Sequence, residues 1–173
     1  MGRGPKKFPR RNNGPPPPIN NGLYPPTNAG VFLFERTGEG IRVCVVQEKN
    51  GKWNIPSGKI DRGEYATSAA TRELFEESSE LLDYDPDETY ITIQIRSFHL
   101  VFIKTSKTCI SSTLEFENLR MRKKLCQKET INMKWELVAE IYIMKECNKL
   151  RGCFASLLDD PHVIAKLSLL NML

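Results

Sequence analysis

Three glutamates are the residues best placed to do chemistry. Glu73, Glu76 and Glu77 stand at i, i+3 and i+4 within Arg72-Glu73-Leu74-Phe75-Glu76-Glu77. On a helix that spacing puts all three carboxylates on one face, within reach of a common point. Like charges gathered this way repel one another unless a cation sits among them. Oxygen-only ligands suit a hard divalent ion such as Mg²⁺ or Mn²⁺. The competing reading is a solvated acidic face on a surface helix.

The surroundings favour the metal. Gly58 follows Pro56-Ser57, so a tight turn precedes the helix, and Gly63-Glu64 supplies a second flexible point. Arg72 adjoins the acids and could pair with Glu64, holding the loop against the helix. Ala66, Ala69 and Ala70 keep the helix thin enough for close packing.

The stretch as a whole resembles the signature of the Nudix hydrolases, G-x5-E-x7-R-E-U-x-E-E-x-G-U with U a bulky aliphatic residue. Gly58, Glu64, Arg72, Glu73, Leu74, Glu76 and Glu77 meet it. Ser79 stands where the family has glycine and Glu80 where it has an aliphatic residue, with Leu81 one position late. The missing glycine bears on how the helix ends, because glycine relieves a left-handed C-cap. Upstream, Trp53-Asn54-Ile55-Pro56-Ser57-Gly58-Lys59 is similar to the family's W-x-x-P-x-G-K approach, and Glu129, six residues before Trp135, is similar to its glutamate-then-tryptophan segment. The likeness covers roughly residues 27 to 150.

This resemblance implies an α/β fold, a mixed β-sheet sandwiched between α-helices. It implies Glu73, Glu76 and Glu77 as metal ligands, with the Gly58 carbonyl as a further one. Glu64 would orient Arg72 or bind an outer metal. The base could be Glu129, Glu73 or Glu64. It also implies a substrate in which a nucleoside diphosphate is linked to another group. Phe98 occupies the region beyond the box where diadenosine polyphosphate hydrolases carry tyrosine, and Ile95 the place of the proline of ADP-sugar enzymes. Nucleoside triphosphates, dinucleotides, inositol pyrophosphates and capped RNA ends remain. Arg120 and Arg122 could pair with substrate phosphates, and Phe98 and Phe116 could stack on a base. The reading from another class is a non-catalytic Nudix-fold module that binds nucleotide or RNA. Its discriminating feature would be loss of box glutamates, and here every box acid is present.

The elements that must position these residues are partly legible. Val31 to Phe34 and Ile41 to Gln47 read as paired strands around a Gly38-Glu39-Gly40 turn. A helix is expected from about Tyr65 to Ser79, with Thr67 and Ser68 as caps. Tyr90 to Lys104 reads as one long strand or two short ones, and Trp135 to Ala139 as strand into helix. Residues 105 to 130 read as a charged loop over the site. Asp160-Pro161 starts a closing helix that seals the core through Val163, Ile164, Leu167 and Leu170. His99 and His162 are expected to be structural.

Composition bounds the rest. A chain of 173 residues suits one domain, expected over residues 27–173. Residues 1–26 hold eight of the eleven prolines and almost nothing apolar, so they read as a disordered tail. Arg3, Lys6, Lys7, Arg10 and Arg11 make that tail basic, while residues beyond 34 hold 20 basic and 21 acidic side chains. The tail could touch RNA or another polyanion. No apolar run is long enough to span a bilayer, and the basic N-terminus lacks the apolar stretch of a secretory signal. Five cysteines without a CxxC pair suit reduced thiols in a cytoplasmic setting, with the nucleus also open.

Overall fold

The computed structural model describes residues 25–85, 90–105, 116–118, 121 and 130–172. Strands β1 (Asn28–Thr37) and β2 (Gly40–Glu48) form the expected antiparallel hairpin, in register from Phe34↔Val43 to Thr37↔Gly40. Beyond that the two strands part. β3 (Trp53–Asn54) continues along β2, with Val46 opposite Asn54. β4 (Ser57–Lys59) continues along β1, with Ala29 opposite Gly58. The wedge between the splayed strands is thereby filled by the loop that carries Gly58.

The rest of the mixed sheet flanks this pair. β6 (Phe98–Lys104) runs parallel to β1, and β5 (Ile91–Ile95) pairs antiparallel with β6, so residues 90–104 form two strands. β7 (Thr130–Leu137) is antiparallel to β2. Among the described residues, 116–118 are helical, and the longer helices are α1 (Ala66–Glu77), α2 (Val138–Glu146), α3 (Gly152–Leu158) and α4 (Pro161–Met172).

Period-two alternation sorts the strand residues onto two cores. Phe32, Phe34, Val43, Val45, Leu100 and Phe102 face Ile141, Phe154, Leu158, Val163 and Leu167 of α2, α3 and α4. Val31, Leu33, Cys44, Val46, Val101 and Ile103 face Ala69, Ala70 and Leu74 of α1. Burial on both faces explains the unbroken apolar run Val31 to Phe34. Leu74 is fully buried, so truncating it to alanine would cost about 3 kcal/mol and loosen α1 from the sheet.

Some expectations need correction. Tyr65 is the N-cap of α1 and makes no side-chain cap. Thr67 and Ser68 lie inside the first turn, where their carbonyls accept from the Thr71 hydroxyl. Asp160 does cap α4, its Oδ1 accepting the His162 N–H at 2.9 Å. In α4, Val163 and Leu167 are buried and Leu170 packs at the core's edge, whereas Ile164 is 44% exposed. Among the described residues no helix is long and apolar enough to cross a membrane.

Candidate active site

The site is built on the loop and helix between β4 and the end of α1. Asp61 to Glu64 make a tight turn, Glu64 N–H donating to Asp61 O at 3.0 Å with Gly63 at φ +80°. A positive φ at the third position of such a turn favours glycine. The turn brings Glu64 to Arg72, and the pairing expected from the sequence is present. Arg72 donates from Nε to Glu64 Oε1 at 2.9 Å and from Nη2 to Oε2 at 3.0 Å. This fork fixes direction as well as charge. Arg72 Nη2 also donates to the Lys59 carbonyl, and the Asp61 N–H donates to Glu64 Oε2. The loop is thus tied to the helix at both ends.

The acids of α1 divide by direction. Ala66, Ala70, Glu73 and Glu77 follow one another at three- and four-residue spacing with Ala69 beside them, so the small residues that let α1 approach the sheet lie on the face that aims two acids at β4. Glu73 Oε1 accepts from Arg72 Nη1 at 2.6 Å, and its carboxylate lies against the Gly58 α-carbon. Glu77 Oε2 accepts the Ser57 N–H at 2.9 Å. Glu76 turns outward with half its side chain exposed, its Oε2 3.7 Å from Arg72 Nη1. Among the described residues no three acids, histidines or cysteines are gathered as a metal would draw them. The donor chemistry nonetheless fits a hard cation. Three carboxylates and the Gly58 carbonyl lie on adjoining elements, β4 and α1.

Electrostatics separate Glu64 from Glu73. Burial pushes the Glu64 carboxyl up, but the Arg72 fork and the Asp61 N–H together hold it below its ordinary value. Glu73 moves the other way. Burial raises it, and the charges of Glu76 and Glu64 add to that, against the Arg72 hydrogen bond. Arg72 is held charged, chiefly by its hydrogen bond to Glu64 and against the cost of burial.

The family model for the NUDIX domain matches residues 24–150. The chain belongs to the NUDIX family. Among solved structures, an Ap4A hydrolase from C. elegans is 18% identical, with a TM-score of 0.46, over 82% of this chain and 96% of that one. The NUDIX domain of Shewanella oneidensis NrtR, complexed with ADP ribose, is 18% identical with a TM-score of 0.49, over 79% of this chain and 85% of that one. No curated protein matches the chain.

The departure from the NUDIX box at Ser79 has a clear structural counterpart. Ser79 is left-handed at φ 57° and Glu80 follows at φ 66°. Ser79 N–H donates to Glu76 O and Glu80 N–H to Phe75 O, the paired bonds of a Schellman cap. The helix keeps the ending that glycine favours while carrying serine. The aliphatic role falls mainly to Leu82, which is buried, with Leu81 packed beside it.

Other expected site residues fall elsewhere. Glu129, Arg120 and Arg122 lie outside the described residues. Thr130, next to Glu129, pairs with Glu48 at the end of β2. Phe116 is fully buried against the α1-side core, so it is a packing residue and is not available to stack on a base. Phe98 is partly buried against the opposite core. His99 is half-buried, with an Nε2 that has no hydrogen-bond partner among the described residues, and burial lowers its pKa. Sequence reasoning did not single out Asn54, whose amide links Ser57 to Glu48, nor the Glu48–Arg151 ion pair. The pair joins residues about a hundred positions apart, and no local signal marks it.

Proposed function

We propose that this NUDIX protein is a metal-dependent hydrolase that cleaves a pyrophosphate bond in a nucleoside diphosphate-linked substrate, a nucleotide or a capped RNA. The observation that carries the reading is the Arg72 fork. It locks Glu64 and the preceding loop onto α1, so that Glu73 and Glu77 face the turn into β4 at Ser57–Gly58. Every acid of the box is retained around that arginine, which favours catalysis over a binding module.

The residues that would hold Mg²⁺ or Mn²⁺ are Glu73, Glu76 and Glu77, with the Gly58 carbonyl. Such a cation, when bound, neutralises phosphate charge and makes water a nucleophile near neutral pH. The chain's own part is positioning. Glu64 keeps Arg72 in place, and Arg72 keeps Glu73 turned toward Gly58. Glu64 is a poor base, because its oxygens are engaged by Arg72 and Asp61 and its pKa is lowered. The proton from water is assigned to Glu73 or to Glu129. Arg120 and Arg122 would pair with substrate phosphates. The basic tail, residues 1–26, would add an unspecific hold on RNA, with affinity falling steeply with salt. The compartment assigned is the cytoplasm, with the nucleus open to the same reading.

A substrate panel tests this. Nucleoside triphosphates, dinucleoside polyphosphates, ADP-ribose, inositol pyrophosphate and capped RNA are incubated with Mg²⁺ or Mn²⁺, and products are identified by mass. A nucleoside mono- or diphosphate, released only with metal, is the expected result. Turnover undiminished in excess EDTA would overturn the mechanism. Selective action on inositol pyrophosphate would overturn the nucleotide assignment. Binding across the panel without product would establish the non-catalytic module.

A further inference from the structure

The turn that faces Glu73 and Glu77 is held by a residue outside the box. Asn54, at the end of β3, is 4% exposed. Its Oδ1 accepts the Ile55 N–H at 2.9 Å. Its Nδ2 donates to Ser57 Oγ at 3.2 Å and to Glu48 Oε1 at 3.3 Å. The amide orientation follows from these partners, since the reverse would set Oδ1 against the Glu48 carboxylate. Glu48 is anchored in turn by Arg151 Nη1 and Asn50 Nδ2. The Arg151 N–H donates to Trp53 O and the Trp53 N–H to Lys149 O, so residues 149–151 run alongside β3. On the other side, the Ser57 N–H donates to Glu77 Oε2. A continuous hydrogen-bonded path therefore runs Arg151–Glu48–Asn54–Ser57–Glu77.

We infer that Asn54 is a positioning residue for the carboxylate site. It fixes the turn into β4 so that the Ser57 N–H aims Glu77 and the bare Gly58 α-carbon leaves room for Glu73. The Glu48–Arg151 pair holds the amide in that orientation. The inference rests on the reading of Glu73 and Glu77 as metal ligands. Asn54 touches neither; it acts through the backbone of the turn. Groups that orient metal ligands in this way set metal affinity, with losses of 10- to 100-fold typical when they are removed.

The test compares wild type with Asn54→Asp and Glu48→Gln. Asn54→Asp keeps the shape and the acceptor for Ile55, loses the donor to Ser57 and adds a negative charge beside Glu48. Glu48→Gln leaves Asn54 an acceptor and removes the ion pair with Arg151, which makes it the milder change. Three readouts are taken on protein shown by circular dichroism to be folded. They are Mn²⁺ affinity without substrate, hydrogen exchange at the Ser57 amide without metal, and kcat and KM on whichever substrate the panel identifies. Asn54→Asp is expected to weaken Mn²⁺ binding by about tenfold or more, to speed Ser57 exchange, and to lower kcat with little change in KM. Glu48→Gln should move the same readouts in the same direction by less. Folded variants with wild-type Mn²⁺ affinity and Ser57 protection would overturn the inference, whatever their melting temperatures. Wild-type protein that bound no Mn²⁺ would instead overturn the metal-site reading. The Ser57 exchange rates would still decide whether Asn54 orders the turn.

Discussion

Any side chain at Gly58 would collide with the carboxylate of Glu73. Gly58 is not among the glycines with positive φ, so its backbone suits any residue and only the neighbouring acid demands glycine. Gly58→Ala should therefore separate activity from stability. The methyl group can be accommodated if Glu73 swings away from Arg72, since a carboxylate is the far end of a flexible side chain. Stability should stay within about 1 kcal/mol of wild type, because alanine also restricts the unfolded chain. Hydrolysis should fall about 100-fold, the scale of loss when a reacting group is displaced by an ångström. A variant with full activity would show that Glu73 is not held where it acts, and one that unfolded outright would show that Glu73 cannot swing aside.

Arg72→Lys tests the fork. Lysine keeps the charge but cannot donate to both Glu64 oxygens and to Glu73 at once. The partly buried acids would lose charge-assisted hydrogen bonds, worth about 2 kcal/mol in folding free energy. Urea denaturation measures that loss, and the panel substrate measures the accompanying drop in rate. Wild-type stability in Arg72→Lys would mean that a single point charge suffices.

What the sequence made legible follows the range of the interactions. The pairing of Glu64 with Arg72 is set by helical spacing and one short loop, and could be read directly. The same spacing suggested one common face for Glu73, Glu76 and Glu77, yet Glu76 turns outward, because spacing fixes the backbone position and not the side-chain direction. The hairpin of β1 and β2 was visible because turn residues and β-branched runs are local signals. Phe116 was misread because it stands between Glu115 and Glu117, where charge suggests a surface, yet a single aromatic can be buried from such a segment. Thr67 and Ser68 looked like caps because their side chains suit that role; the helix begins too early for either to serve. Asn54, Glu48 and Arg151 come together only when residues 149–151 lie along β3, and nothing near any of them in sequence announces it.

Ser79 offers a stability prediction. A left-handed non-glycine residue costs about 1–2 kcal/mol, which Ser79→Gly would relieve. The side chain is only 1% exposed, so the substitution also removes buried contacts, and glycine loosens the unfolded chain. The net gain should be at most about 1 kcal/mol, seen as a raised thermal midpoint with Glu73, Glu76 and Glu77 untouched. A lowered midpoint would show that the Ser79 side chain contributes more than its backbone costs.

His99 supplies the pH prediction. Burial lowers its pKa from the ordinary value of 6.5, so the native imidazole stays neutral where the unfolded one takes up a proton. Above pH 6.5 both states are neutral and the full stability is present. As pH falls below 6.5 the unfolded chain binds protons first and stability declines, until the folded pKa is passed. Urea midpoints at a series of pH values should fall through this window in the wild type, and His99→Gln should flatten that part of the curve. An unchanged slope in the variant would assign the dependence to other groups.

Metal binding should be visible in folding before any substrate is known. Glu73 and Glu77 are held toward the same turn, with Glu76 one helical turn from Glu73 on the outer side. Like charges at this spacing destabilise the helix until a cation joins them. A ligand that binds only the native state adds stability in proportion to the logarithm of its concentration over Kd, about 2.7 kcal/mol at a hundredfold excess over Kd. Mn²⁺ should therefore raise the wild-type melting temperature progressively, and EDTA should reverse the rise. Without metal, Glu76→Gln should melt close to wild type, since it removes one repelling charge and one exposed ion pair with Arg72. Glu77→Gln should stay close to wild type, since the glutamine oxygen can still accept from Ser57. With metal, both variants should gain far less than wild type, and both should lose hydrolysis by orders of magnitude. Equal Mn²⁺-induced shifts in all three proteins would place the ion on other residues.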